Sequence, residues 1–246
     1  MNRESTNADT LNGRPIDVVP LAIEARSPSR RPEWAIVVVL ILCAVVPYAN
    51  TLFSDFVYDD RAQVLNNPYI QSFRYLREIF TTPVWSYTGA PTNYYRPLMM
   101  VGYLLSYQIF GPAAWAFHLQ NILLNAAVVY LVFRVAASML REREPALIAA
   151  VIFALHPIHI EAVSWISAAS DSMVTLFYVT AFAAFISSEE AEEPRQRNGW
   201  RLLSLTLLTV ALLTKEMAVT FFVIAGLYTF LSSKSSGTLI CPLSRP

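Results

Sequence analysis

The sequence predicts an all-α polytopic membrane protein. Charge is scarce, it is clumped, and the runs between the clumps have the length of a bilayer. Of 246 residues, 55% are hydrophobic and 15% charged, where a soluble domain carries about a quarter charged. The charges gather in 1–33, 55–96, 134–144 and 189–201 and near the end. The uncharged stretches between them approach the roughly 20 apolar residues that cross a hydrocarbon core. Formal net charge is zero, which leaves no basic field for nucleic acid. Cys43 and Cys241 give no disulfide framework. Cys43 lies inside an apolar run and reads as a small hydrophobe.

Residues 1–33 hold Arg3, Arg14, Arg26, Arg30 and Arg31 among Pro, Ser and Asn, with no apolar core. They read as a disordered cytoplasmic leader, not a signal peptide. A transmembrane domain over 34–233 follows, with spans expected at 34–53, 113–134, 146–164, 172–188, 201–214 and 217–233. Residues 97–133 hold no formal charge. As one straight helix they would run about 55 Å, so the chain must break, and Gly111–Pro112 is the place. Arg asymmetry then sets the topology. With Pro97–Phe110 lying at the outer face, the Arg134–Arg143 and Arg195–Arg201 clusters fall on the cytoplasmic side with the leader. The outer loop, 54–112 including that helix, faces the lumen or periplasm. Within it Ile70, Phe73, Leu76 and Phe80 recur at helical spacing and predict one amphipathic helix on the membrane surface. Trp85, Tyr87, Tyr94, Tyr95 and Trp115 suit an interfacial aromatic belt.

Polar groups at or near membrane depth are costly, so each invites a functional reading. Four clusters fall on the expected outer side. Asp59 and Asp60 follow the first span: adjacent carboxylates raise each other's pKa, and one can then act as a general base. A turn or helix cap uses the same residues. Arg96, where the loop returns to the membrane, can grip a phosphate or carboxylate through its guanidinium fork, or simply snorkel. His156, His159 and Glu161, with Asp171 beyond, flank Pro157, which frees backbone groups that need partners or a cavity. This stretch is open to a polar cavity beside a ligand, to helix-terminus structure, or to a divalent metal, although the spacing is no zinc signature. Lys215–Glu216 separates two short apolar runs and fits an anion contact or an internal ion pair.

Taken in order, FVYDD, NNPYI, YYRPL, FGPAAWAFHLQNILLN, LHPIHIEAVSWISAASD and LLTKEMAVT resemble the N-terminal membrane half of the transmembrane and tetratricopeptide-repeat protein O-mannosyltransferases. These are GT-C-fold glycosyltransferases related to the protein O-mannosyltransferases. The resemblance covers about Trp34 to Leu231. It implies a sugar, usually mannose, carried on polyprenyl or dolichyl phosphate, with a Ser or Thr hydroxyl of an acceptor protein as the other substrate. It implies a single inverting displacement in which Asp59 or Asp60 is the base, with Asp60 slightly favoured. Arg96, His156, His159 and Lys215 would meet the donor phosphate, supported by His118, Glu161, Asp171 and Glu216. Two departures stand out. Where relatives show Gly-Arg-Ser-Asp, this chain has Ala168, Ala169, Ser170 and Asp171, so an Arg is missing. No 34-residue repeat is visible, and 234–246 reads as a truncated or frameshifted tail, which raises the expectation of an inactive fragment. The same polar groups also suit a module that binds or transports a lipid-linked anion without chemistry. Arg-rich, Lys-poor usage leans to a bacterial inner membrane; the eukaryotic equivalent is the endoplasmic reticulum.

Overall fold

The computed structural model describes residues 32–89 and 92–237, with side chains as far as residue 232. The leader expected over 1–33 and residues 238–246 of the tail therefore lie outside the described residues, apart from Pro32 and Glu33. Among the described residues every regular element is helical.

Helix α1 (Glu33–Val45) passes into a 3-10 turn over Val46–Phe53 at Pro47, which has no N–H for the α-helical ladder. Together they form one span of 21 residues. The outer loop follows. Tyr58 takes a positive φ of 51°, a conformation a bulky residue adopts only when its surroundings hold it there. Asp59 and Asp60 then open a helical turn that widens into π geometry at Arg61–Leu65. Asn67 caps the turn Pro68–Ile70 and Ser72 caps Phe73–Tyr75. Helix α2 (Leu76–Thr81) completes the series. The single surface helix read from Ile70, Phe73, Leu76 and Phe80 is thus divided at Gln71–Ser72, with Ile70 on a separate turn and the other three on a run from Phe73 to Thr81 that starts as 3-10. Asn67 and Ser72 side chains offer the backbone local partners that interrupt a continuous ladder. The apolar stripe divides accordingly: Ile70 and Ile79 are buried, while Phe73, Leu76 and Phe80 face outward.

Helix α3 (Pro97–Phe110) starts on Pro97, whose missing N–H is an orphan at a first turn anyway. It stops at Gly111, φ 67°, the expected break. The outer loop is packed on α3: Phe56, Val64, Ile70, Ile79 and Val84 meet Met99, Met100, Tyr103 and Leu104 in one core. Helix α4 (Ala114–Leu140) is a full span.

Helix α5 (Arg143–Leu155) ends before Pro157. A 3-10 turn at Pro157–His159 leads into the short α6 (Ile160–Ser164), bent 48° from α5. The span expected at 146–164 is therefore broken, for the reason Pro157 supplies. Helix α7 (Ala169–Glu190) follows a turn at Ile166–Ala168, and the two make the third full span. Helix α8 (Pro194–Thr214) begins with a charged turn, so only its second part is apolar. A turn at Glu216–Thr220 joins it to α9 (Phe221–Gly237), which carries the backbone four residues into the segment read as tail.

Small residues let the helices approach closely. Ala146, Ala150 and Ala154 on α5 pack against α1 and α4 around Leu40, Val129 and Phe133. Asn125 donates across that interface to the Ala44 carbonyl at 3.0 Å. Helices α7 and α8 form an antiparallel hairpin around Val174, Ala181, Leu208 and Ala211. Ser204 of α8 donates to the Ala181 carbonyl at 2.8 Å. At the end remote from the outer loop, Arg141 pairs with Glu190 at 2.5 Å and Arg201 with Glu189 at 3.2 Å.

Candidate active site

The four polar clusters, scattered over 157 positions of sequence from Asp59 to Lys215, meet at one cavity of about 320 Å³. Asp59, Arg96, Glu161, Asp171 and Lys215 all line it. The outer loop supplies Asp59, the start of α3 supplies Arg96, α6 and α7 supply Glu161 and Asp171, and the end of α8 supplies Lys215.

The two carboxylates of the acidic pair differ sharply. Asp60 is fully buried. One of its oxygens accepts from the Ser167 amide at 2.9 Å and the Ser167 hydroxyl at 2.5 Å. The other accepts from the Val57 amide at 3.1 Å. With both oxygens accepting hydrogen bonds and the residue absent from the cavity wall, Asp60 fastens the outer loop to the bundle. The sequence slightly favoured Asp60 as the base, but the carboxylate presented to the cavity is that of Asp59. Asp59 is partly exposed. Behind it, Tyr87 donates to the Ala62 carbonyl at 2.7 Å. Burial, and then the Asp59 charge, push the Tyr87 phenol from 10.0 to about 12.

Both cations at the cavity are paired. Arg96 donates to Glu216 through two nitrogens, at 2.8 and 3.3 Å, and its guanidinium lies 4.9 Å from the Tyr94 ring centre. These bonds hold the Glu216 carboxyl below its ordinary 4.5. Lys215 pairs with Asp171, which sits in the first turn of α7, where a negative charge suits the helix dipole. Adjacent residues of one extended break thus point to different partners: Lys215 to α7, Glu216 to the outer loop.

The histidines stand apart. His156 is exposed, and its Nδ1 accepts from the Ile158 amide at 3.2 Å, capping the turn after Pro157. His159 lies against Phe153, ring centres 4.3 Å apart. It lines a neighbouring cavity of about 400 Å³ that shares Glu161 and Asp171 with the first. His118 is buried in α4, beside the Ser164 backbone, and lines neither cavity. Among the described residues no three His, Cys, Asp or Glu side chains are gathered closely enough to hold a metal ion.

Trp165, Ser167 and Ala168 line the cavity, and the three successive positions 165, 166 and 167 are pinned. Asn121 of α4 donates to the Trp165 carbonyl at 2.9 Å. Tyr103 of α3 donates to the Ile166 carbonyl at 2.7 Å. Ser167 donates to Asp60.

Residues 37–233 match the family model described as dolichyl-phosphate-mannose-protein mannosyltransferase. The chain belongs to this family. It is 34% identical over 197 residues to protein O-mannosyl-transferase Tmtc2 of Drosophila melanogaster, which covers 75% of this chain and 20% of that protein. Protein O-mannosyl-transferase TMTC3 of Homo sapiens is 30% identical over 203 residues, 79% of this chain and 21% of the relative. For human TMTC1 the identity is 31% over 240 residues, 89% and 27%. The chain thus spans between a fifth and a little over a quarter of the length of these curated relatives. No solved structure matches.

The cavity thus gathers a partly exposed carboxylate, Asp59, and two paired cations, Arg96 and Lys215. Ala169, at the position where the resemblance implies an Arg, is buried in the core beside Tyr103 and Leu104 and does not line the cavity, so Arg96 and Lys215 are the cations on its wall. Sequence reasoning missed three further residues. Gln63 stands four positions after Asp59 and shares its face, a relation helical spacing could have exposed. Ser167, the partner of Asp60, carries no local signal. Trp165, which the sequence offers only as part of a motif, lines the cavity.

Proposed function

We propose that this chain bears the catalytic base and the donor-phosphate contacts of a membrane glycosyltransferase. The enzyme moves mannose from a polyprenyl or dolichyl phosphate to a Ser or Thr hydroxyl of an acceptor protein. The observation that carries the reading is the meeting of Asp59 with Arg96 and Lys215 at one cavity.

The step is a single displacement. Asp59 takes the hydroxyl proton as the acceptor oxygen bonds to the anomeric carbon of the sugar. The bond from that carbon to the phosphate oxygen breaks, and its electron pair leaves with the lipid phosphate. Arg96 and Lys215 stabilise the charge that builds on this oxygen. Each cation is held in the apo protein by a carboxylate, so it is positioned before the donor arrives. The anion exchanges with Glu216 and Asp171 and need not order two long side chains. Asp60, through Ser167, keeps the loop that bears Asp59 in register with the cavity wall. The cavity faces the lumen or periplasm, where secreted and membrane acceptors pass.

The test is transfer of labelled mannose from polyprenyl-phosphate mannose to a Ser/Thr peptide by membranes carrying the protein. Asp59→Asn is expected to lower turnover about 10²–10⁴-fold, the usual share of a general base. Donor binding should stay near normal, because the base contacts the acceptor. Lipid binding without any transfer by the unaltered protein would instead favour a binding or transport module.

A further inference from the structure

We propose that Gln63 and Trp165 form the sugar-reading pair of the cavity, hydrogen-bonding the hydroxyls of the donor's sugar and so setting which sugar is accepted. The inference rests on the donor reading above and adds a specificity determinant to it.

Two residues that line one cavity each carry a buried polar atom without a partner. Gln63 is 7% exposed, and its Oε1 is buried with no hydrogen bond. The indole Nε1 of Trp165 is also buried with no hydrogen bond. Both residues line the cavity that holds Asp59, Arg96 and Lys215. An unsatisfied buried polar group is destabilising, so two beside one cavity call for an explanation.

Their chemistry narrows the ligand. One atom is an acceptor and the other a donor, and the Gln63 amide can present either of its ends. Neither carries charge, so they suit a neutral group with several hydroxyls, each able to give and to take a hydrogen bond. The indole adds a flat apolar surface beside its N–H, which fits the C–H face of a pyranose. At about 320 Å³ the cavity is at the small end of ligand sites, matching one sugar ring better than an oligosaccharide. Position agrees with the chemistry. In the displacement the sugar lies between the departing phosphate and the attacking hydroxyl, that is, between Arg96–Lys215 and Asp59.

The pair is also held rigidly. Gln63 sits in the π-helical turn that follows the acidic pair, and π geometry is frequent where a side chain must be re-aimed at a site. The Trp165 carbonyl is held by Asn121 at 2.9 Å. Groups fixed in this way reject a sugar whose hydroxyl points elsewhere, because the site's own polar atoms are then left unpaired.

The experiment measures binding of two lipids to the full chain in nanodiscs: polyprenyl-phosphate mannose and polyprenyl phosphate. In the unaltered protein the sugar-bearing lipid should bind more tightly. Gln63→Leu and Trp165→Phe should each weaken the sugar-bearing lipid by about tenfold, the loss of one hydrogen bond, and leave polyprenyl phosphate unchanged. Thermal unfolding separates recognition from structure. Gln63→Leu replaces an unsatisfied amide with an apolar group, so the melting temperature should hold or rise; a fall would mean the amide is structural and would overturn the proposal. Binding of polyprenyl phosphate with no gain from the sugar, or equal loss of both lipids in the variants, also overturns it while leaving the donor reading intact. Failure to bind either lipid would sink the donor reading and this one with it.

Discussion

Asp59 and Asp60 are neighbours in sequence with opposite environments, and the difference comes from what lies across the fold. The peptide N–H and hydroxyl of Ser167 meet Asp60 at 2.9 and 2.5 Å, while Asp59 turns to the cavity. Local sequence offers both residues the same reading, cap or base, and the choice depends on a partner 107 positions away. Replacing Asp60 by Ala leaves the Ser167 amide buried and unpaired, at a cost of about 1–3 kcal/mol. Thermal unfolding of Asp60→Ala should fall accordingly, whereas Asp59→Asn should unfold near the unaltered temperature; the reverse order would undo the division of roles. The Tyr87 phenol gives a second check. Its folded value of about 12 exceeds the ordinary 10.0, so the neutral form is favoured in the folded protein. The stability it contributes is whole below pH 10 and is lost as pH climbs towards about 12, because the unfolded chain ionises first. Asp59→Asn should lower the phenol value, read by ultraviolet titration, because the second cause of the rise is then gone.

At the scale of elements, breaks were legible where covalent chemistry makes them. Gly111 ends α3 with a positive φ, and Pro157 bends the fifth helix, as their positions foretold. The outer loop was legible only in part. Helical spacing of Ile70, Phe73, Leu76 and Phe80 predicts one amphipathic helix, but the chain breaks at Gln71–Ser72, where Ser72 caps a new start and leaves Ile70 on the preceding turn. Ile79, not named by that pattern, is 2% exposed in the core with Met99 and Tyr103. Leu76 is 38% exposed. Their substitutions should therefore behave differently. Ile79→Ala opens a cavity and should cost about 2–5 kcal/mol, with the outer loop becoming protease-sensitive in detergent and membrane alike. Leu76→Asp should leave the detergent-solubilised loop protected and loosen it only in vesicles, where the exposed apolar face meets the lipid surface. Equal sensitivity of Leu76→Asp in both media would show that this face packs on protein.

Across the whole molecule, charge separates into two poles joined by apolar helices. One pole holds the outer loop and the cavity. The other holds the pairs Arg141–Glu190 and Arg201–Glu189, which tie the ends of α4, α7 and α8. The expected spans met this architecture unevenly. Among the described residues three helices are long and apolar enough to cross a membrane, or four if the bent pair at Pro157 counts as one span. The segment 201–214 is the apolar part of α8, and Glu216–Ser232 is a shorter apolar helix. Hydropathy alone cannot assign a short helix, because packing on neighbours also shelters its backbone. Side is a separate question, and positive charge decides it. Arg134, Arg141, Arg143, Arg195, Arg197 and Arg201 belong to the second pole, and the Ile160–Asp171 segment at the cavity has no Lys or Arg. The second pole should therefore be cytoplasmic. In a cysteine-free background, Asn93→Cys should react with an impermeant maleimide on the outer face of sealed vesicles or cells. Asn198→Cys, exposed at the start of α8, should react only after permeabilisation. Labelling of Asn198→Cys from outside would turn the cavity to the cytoplasm, where acceptors bound for secretion do not pass. The acceptor half of the functional reading would then fall, even if the cavity still bound a lipid-linked anion.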